Sequence, residues 1–350
     1  MVDFTNTKVA FNTKTNSELK RAYLLFKMIS NSHLVKIGTA LTNFALKTNL
    51  PIEGLIKSTV FDHFCGGISI IDCKPTISQM YKSNVYCVLD YSVEGKQTES
   101  QFDLITKKTL DLLDFAAVNK SIPFTVFKPT AVGCFEIYKK ISQSENLNND
   151  EFDKWNRIKD RFHSICKHAE KKNIPVLIDA EESWIQKAVD VLSEELMQVY
   201  NKDKVIIFNT LQAYRWDRYK YLINLHKNAK LIGFKIGIKL VRGAYMEKER
   251  NRAQIKGYKS PICQTKVETD KNFNKCLIYI INKLDDINLF LGTHNEASTL
   301  KAVKILNSIG IKNNNTKIWF GQLYGMSDHI SFNLAKNDFN VSKYMPYGPV

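Results

Sequence analysis

The chain has 350 residues, 44% of them hydrophobic, which suits one large barrel or two ordinary domains and leaves no room for a long disordered tract. A formal net charge of +15 raises nucleic acid or an anionic membrane as a partner. The lysines are spread among Glu and Asp with no compact basic run interleaved with aromatics, so nucleic acid is set aside and weak attraction to an anionic bilayer stays open.

The seven cysteines are scattered, odd in number and without metal spacing, and they read as reduced thiols of a cytosolic or equivalent compartment. No apolar run approaches the roughly 20 residues needed to span a bilayer. The N-terminus reads as neither a signal nor a transit peptide.

Taken in order, residues 1–80 carry helical patterning, with Leu24, Leu25, Met28 and Ile29, then Leu41, Phe44, Ala45 and Leu46, at three-to-four spacings. They predict an N-terminal helical arm that breaks at Gly66 and Gly67. His63, just before, reads as a packing or surface residue. From residue 85 the pattern changes, and a barrel is expected over 81–350. Apolar runs predict strands at 85–89, 122–127, 174–178, 205–208, 236–241, 287–291, 317–320 and 341–344. Helical segments are expected at 98–119, 153–172, 183–200, 213–230, 266–284, 296–308 and 327–337, with a further turn of helix after Gly243.

Strands alternating with helices argue for parallel pairing, and eight of them argue for a closed (βα)8 barrel of the α/β class. No Gly-x-Gly-x-x-Gly follows the first strand, against a dinucleotide-binding open sheet. A standard barrel's eighth helix has no sequence here, because only Pro346 to Val350 follow the eighth run.

Reacting groups in such barrels come from the C-terminal ends of the strands. Those ends carry Asp90 and Glu94, Lys128, Asp179 to Glu182, Thr210 and Gln212, Lys239 to Tyr245, His294 and Asn295, Gln322 to Gly325, and Tyr344 and Tyr347. Side chains alternate along a strand, so Lys239 shares a face with Gly237 and Val241 and points into the barrel mouth, where a cation needs an anion or an electron-rich ring. Plainer readings stand beside this one. Lys239 snorkels to the rim, Asp179 caps a helix, Lys128 pairs with a neighbouring carboxylate, and Asn295 opens a helix. A metal site finds no supporting His-x-His or His-Glu-x-x-His spacing.

The segments Phe61-Asp-His-Phe-Cys-Gly-Gly67, Leu89-Asp-Tyr-Ser-Val-Glu94, Phe127-Lys-Pro-Thr-Ala131, Ile178-Asp-Ala-Glu-Glu-Ser183, Phe208-Asn-Thr-Leu-Gln-Ala-Tyr214, Lys239-Leu-Val-Arg-Gly-Ala-Tyr245, Thr293-His-Asn-Glu296, Gly321-Gln-Leu-Tyr-Gly-Met326 and Lys343-Tyr-Met-Pro-Tyr-Gly-Pro349 occur in this order. Together they resemble the motifs of the proline dehydrogenase family, flavoenzymes on a distorted (βα)8 barrel. That resemblance implies oxidation of L-proline to 1-pyrroline-5-carboxylate by hydride transfer to N5 of FAD, with electrons passed to a membrane quinone. It places the chain in the cytoplasm or peripherally on an inner membrane, on the matrix face in a eukaryote.

By the same resemblance Lys128 holds the substrate carboxylate, and Asp179 and Lys239 form the catalytic core, with Lys239 where relatives often carry Arg. Leu323 and Tyr344 wall the substrate ring and Glu94 belongs to its gate. Ala180, Gln212, Val241, Arg242, Gly243, Ala244, Tyr245, Thr265, Lys266, His294, Asn295 and Gln322 are implied to serve the cofactor. The family's eighth helix carries an Arg-Arg pair for the substrate carboxylate, and nothing in these 350 residues matches it. The expectation is weaker proline binding by the chain as it stands and a native protein that continues past Val350. Hydroxyproline dehydrogenase shares nearly all these motifs and is the nearest alternative. Further rivals are a barrel with Lys128 or Lys239 as a Schiff-base lysine and a basic barrel that binds without catalysis.

Overall fold

The computed structural model describes residues 2–31, 33–35, 38, 48, 54, 57–92 and 98–349. Strands β1 (Val85–Tyr91), β2 (Phe124–Phe127), β3 (Val176–Ile178), β4 (Ile207–Gln212), β5 (Ile236–Val241), β6 (Ile287–Gly292), β7 (Ile318–Leu323) and β8 (Val341–Tyr347) form a closed, all-parallel barrel in sequence order. Seven consecutive pairs, from Val85 opposite Val341 to Tyr91 opposite Tyr347, close it between β1 and β8.

The strands read as apolar runs because both faces are buried. Outward side chains such as Ile178, Ile238, Leu240 and Leu289 lie under the helices. Inward ones build a separate aromatic floor in the lower barrel, where Phe124 meets Phe208, Phe290 and Trp319 edge-on at centroid distances of 5.2–5.5 Å. Glycine is required beside that floor: a Cβ on Gly321 would come within 2.4 Å of the Phe290 ring. This aromatic cluster fills the lower barrel, and the charged inward residue Lys239 lies above it.

β4 departs from expectation. It starts later and runs to Gln212, because its end is polar yet buried. Asn209 faces outward, donating to Asp190 at 2.9 Å, and Thr210 donates to the Ile178 carbonyl at 2.8 Å. An apolar-run criterion stops short of such residues. Gln212, and likewise Gln322 and Leu323 of β7, lie on strands rather than after them, while Tyr344 lies within β8 as expected. The helix after β4 starts at Arg218, not at 213, and Phe135–Gln143 is a helix absent from the expected set.

Of the arm, helices Asn16–Ile29 and Ile70–Tyr81 are described. The expected apolar pattern at Leu41, Phe44, Ala45 and Leu46 lies outside the described residues. Helix Ile70–Tyr81 packs on β1, and Gly66 fits between Met345 of β8 and Cys73, where a Cβ would meet the Met345 sulfur at 2.2 Å. His63 is a packing residue: its Nε2 lies 2.9 Å from the Gly325 carbonyl, and its ring sits edge-on to Phe64. No described helix is long and apolar enough to cross a membrane.

Candidate active site

Alternation along β5 brings Lys239 inward, and the side chain is 7% exposed. It forms an ion pair with Asp179, one residue beyond β3. Its Nζ also stands 4.4 Å from the centroid of the Tyr344 ring. Lys239 thus has both partners that a desolvated cation needs. Asp179 accepts a second hydrogen bond from the Tyr344 hydroxyl, 2.6 Å from Oδ2. It caps no helix, since the following helix starts at Ser183 with Glu182 in the cap position.

Lys128, one residue past β2, is partly buried, and its charge acts on two carboxyls, Asp90 and Glu181. Burial raises the Asp90 carboxyl above its usual range, with Lys128 and Lys239 pulling the other way. Ser92 donates to Asp90 at 3.1 Å. Burial pushes Glu181 up to about 7, against two hydrogen bonds from Thr130. Burial also holds the Tyr344 hydroxyl well above the ordinary phenol range, so it is a donor at neutral pH. The mouth therefore gathers two lysines, Lys128 and Lys239, and three carboxyls, Asp90, Asp179 and Glu181, with the Tyr344 phenol across it.

The residues expected at a cofactor lie along the β4–β6 side of the same rim. Gln212 is 3% exposed, and its Nε2 reaches the Ala180 carbonyl at 3.4 Å. Its Oε1 is buried with no hydrogen-bond partner among the described residues, an uncompensated acceptor facing the barrel. Gly243 has φ +126°, and a Cβ there would come within 2.4 Å of the Tyr214 ring, so only glycine fits between Arg242 and Ala244. The Arg242 guanidinium is taken up by Asp270 at 2.7 Å and Thr293 at 2.8 Å and stacks on Phe273.

Thr265 caps the helix Lys266–Ile281 and Asn295 caps Glu296–Ser308, while Lys266 pairs with Asp270 at 2.6 Å. Both helices begin on the side of the barrel where the strands end, after β5 and β6, a setting that suits anionic groups. His294 stands 2.8 Å from Ser327, and burial, Lys343 and His329 hold its ring below the ordinary imidazole range. Gln322 points outward on β7, with Nε2 on the Thr293 carbonyl at 3.1 Å and Oε1 accepting from Ser331 at 2.8 Å. Leu323 is 44% exposed at the mouth. Glu94 lies outside the described residues. Sequence reasoning gives Asp90 and Glu181 no role. Both lie at strand ends and inside the segments that carry the family resemblance, which is their signal in the sequence.

A family model described as proline dehydrogenase matches residues 73–350. The chain is 36% identical over 329 residues to the carbapenem antibiotics biosynthesis protein CarD of Pectobacterium carotovorum subsp. carotovorum, covering 93% of this chain and 85% of that protein. It is 30% identical over 396 residues to the mitochondrial proline dehydrogenase 2 of Arabidopsis thaliana, covering 100% and 83%. To the hydroxyproline dehydrogenase of Xenopus laevis it is 27% identical over 377 residues, covering 97% and 81%. Among solved structures, proline utilization A (PutA) from Bdellovibrio bacteriovorus, inactivated by N-propargylglycine, superposes with a TM-score of 0.75 at 20% identity, a likeness of fold. The match covers 85% of this chain but only 32% of that one, so the chain spans about a third of that solved protein. With the family model spanning residues 73–350 and the barrel closed as described, the chain belongs to the proline dehydrogenase family.

Proposed function

We propose that this protein oxidises L-proline to 1-pyrroline-5-carboxylate using FAD and passes the electrons to a quinone. The observation that carries this reading is the Lys239–Asp179–Tyr344 arrangement, with Lys128 at the end of β2 beside β3 and the Gln212 oxygen, without a partner among the described residues, at the end of β4 between β3 and β5. Lys128 provides a cation for the substrate carboxylate. The Tyr344 ring and exposed Leu323 supply apolar walls for a five-membered ring. Asp179 fixes both the Lys239 ammonium and the Tyr344 hydroxyl, so neither reorganises when substrate enters.

The residues present fit a flavin. Gln212 offers a buried acceptor with no partner among the described residues, Gly243 lets the chain turn through Val241, Arg242, Ala244 and Tyr245 against the Tyr214 ring, and Ala180 borders Gln212. Thr265, Lys266, His294 and Asn295 are assigned to its phosphate and adenosine end. Gln322 is assigned to it through backbone or rim contact, since both ends of its side chain are engaged elsewhere. When bound, the flavin supplies a two-electron acceptor. Lys239 holds positive charge where negative charge arrives, the logic of an oxyanion site. Glu94 is assigned to the substrate gate. The net charge of +15 suits peripheral contact with an anionic membrane that carries the quinone.

The test is steady-state turnover of the FAD-loaded chain with a soluble quinone, comparing L-proline with trans-4-hydroxy-L-proline and trapping the cyclic imine product. A kcat/KM favouring proline supports the reading. A preference for the hydroxylated substrate moves the assignment to hydroxyproline dehydrogenase.

A further inference from the structure

We infer that Glu181 is a positioning residue that fixes where Lys128 presents its ammonium group. The inference rests on the reading of Lys128 as the residue for the substrate carboxylate.

β2 is four residues long and is held to β1 by only two pairs, Val88 opposite Phe124 and Leu89 opposite Thr125. Lys128 lies past the last of them. On the other side the ladder ends where the Asp179 N–H donates to the Phe127 carbonyl at 3.1 Å. The backbone immediately C-terminal to Lys128 must therefore set its direction. Pro129 begins a single helical turn, Pro129–Val132, and that turn is pinned by Tyr138, by Glu181 and by Arg161, which donates to the Val132 carbonyl at 3.3 Å. Tyr138 donates to the Pro129 carbonyl at 2.9 Å. Glu181 takes both donors of Thr130, the backbone N–H at 2.9 Å on one oxygen and the hydroxyl at 2.6 Å on the other.

Glu181 is 7% exposed and lies two residues after Asp179, with its own N–H donating to Gln186 at 3.3 Å. One carboxylate thus joins the end of β2 to the end of β3, and so ties the position of Lys128 to the Asp179–Lys239 pair. Burying a carboxylate is costly, and Thr130 alone could be satisfied by a neutral acceptor. Burial favours the protonated acid, while the two Thr130 hydrogen bonds and, more weakly, the Lys128 ammonium favour the ionised form of Glu181.

The test compares proline kinetics of Glu181→Ala, Glu181→Gln, Lys128→Ala and the Glu181→Ala/Lys128→Ala double variant, all as FAD-loaded full chains. Glu181→Ala is expected to raise KM about tenfold with kcat changed by less than about threefold, because a ground-state contact is misplaced. Glu181→Gln, whose carbonyl oxygen accepts from the Thr130 N–H and whose amide N–H donates to the Thr130 hydroxyl oxygen, recovers most of that loss. On the Lys128→Ala background, Glu181→Ala adds nothing further, the signature of one residue acting through another.

An equal KM increase on both backgrounds overturns the inference, since Glu181 then acts without Lys128. An unchanged KM in well-folded Glu181→Ala also overturns it. If Lys128→Ala itself leaves KM unchanged, the reading of Lys128 has failed and the inference falls with it, a distinct result. Should Glu181→Ala not fold, Thr130→Val removes only the hydroxyl contact. It is expected to raise KM by a smaller factor of about three, again only when Lys128 is present, and a rise independent of Lys128 overturns the inference.

Discussion

Tyr344 of β8 reaches across the barrel mouth to Asp179 beyond β3, donating its hydroxyl to Oδ2 at 2.6 Å while its ring lies under the Lys239 ammonium. The two functions of this tyrosine separate by mutation. Tyr344→Phe keeps the ring and removes a hydrogen bond to a charged acceptor, worth about 1.5–3 kcal/mol. Proline kcat/KM is expected to fall roughly ten- to a hundredfold with little change in thermal unfolding. Tyr344→Ala, which also removes the platform for Lys239, is expected to lose more. Equal activities of the two variants would show that the hydroxyl carries the whole effect.

Gln212 carries an acceptor with no partner among the described residues, an arrangement that costs stability until something donates to it. Gln212→Leu is therefore expected to leave the flavin-free protein as stable as wild type or slightly more so, while flavin retention falls by about tenfold or more. Calorimetry of the apoprotein and equilibrium flavin titration check the two halves separately.

Gly243 combines a φ of +126° with the Tyr214 ring packed where a Cβ would stand. Gly243→Ala is expected to destabilise the protein by several kcal/mol, as overpacking and backbone strain combine. Gly257, with φ +68° and open space around it, is the control. Its alanine variant is expected to cost only about 1–2 kcal/mol, measured by denaturant unfolding.

Glu181 has a folded-state value of about 7, above its unfolded value near 4.5. Between those values the folded chain holds a proton that the unfolded chain has released, so stability falls as pH rises through the window. The effect is absent below about 4.5 and complete above about 7, on the order of 3 kcal/mol for one buried carboxyl. Glu181→Gln removes this slope. Urea unfolding at pH 5 and pH 8, wild type against variant, measures it.

The barrel was legible because a strand buried on both faces reads as an unbroken apolar run, and seven of the eight runs lie on their strands with only end shifts. β4 was misjudged at its functional end, because Asn209 and Gln212 are buried polar residues whose satisfaction, or lack of it, depends on Asp190 and on the open mouth. The inward direction of Lys239 followed from period-two alternation alone. Its pairing with Asp179 and Tyr344 did not, since these residues are brought together by barrel closure across 60 and 105 positions of sequence. Thr265 and Asn295 illustrate the converse. Their capping roles are plain from local sequence, Thr265 with Glu268 three residues on, while any ligand at the same helix ends leaves no sequence mark of its own.

The most direct measurement is the visible absorption spectrum of the purified, FAD-loaded protein before and after anaerobic L-proline, taken alongside Lys239→Met. The account predicts oxidised-flavin bands that bleach with proline in the wild type and bleach far more slowly in the variant. A chain that retains no flavin would contradict it, as would bound flavin whose bands proline leaves unchanged.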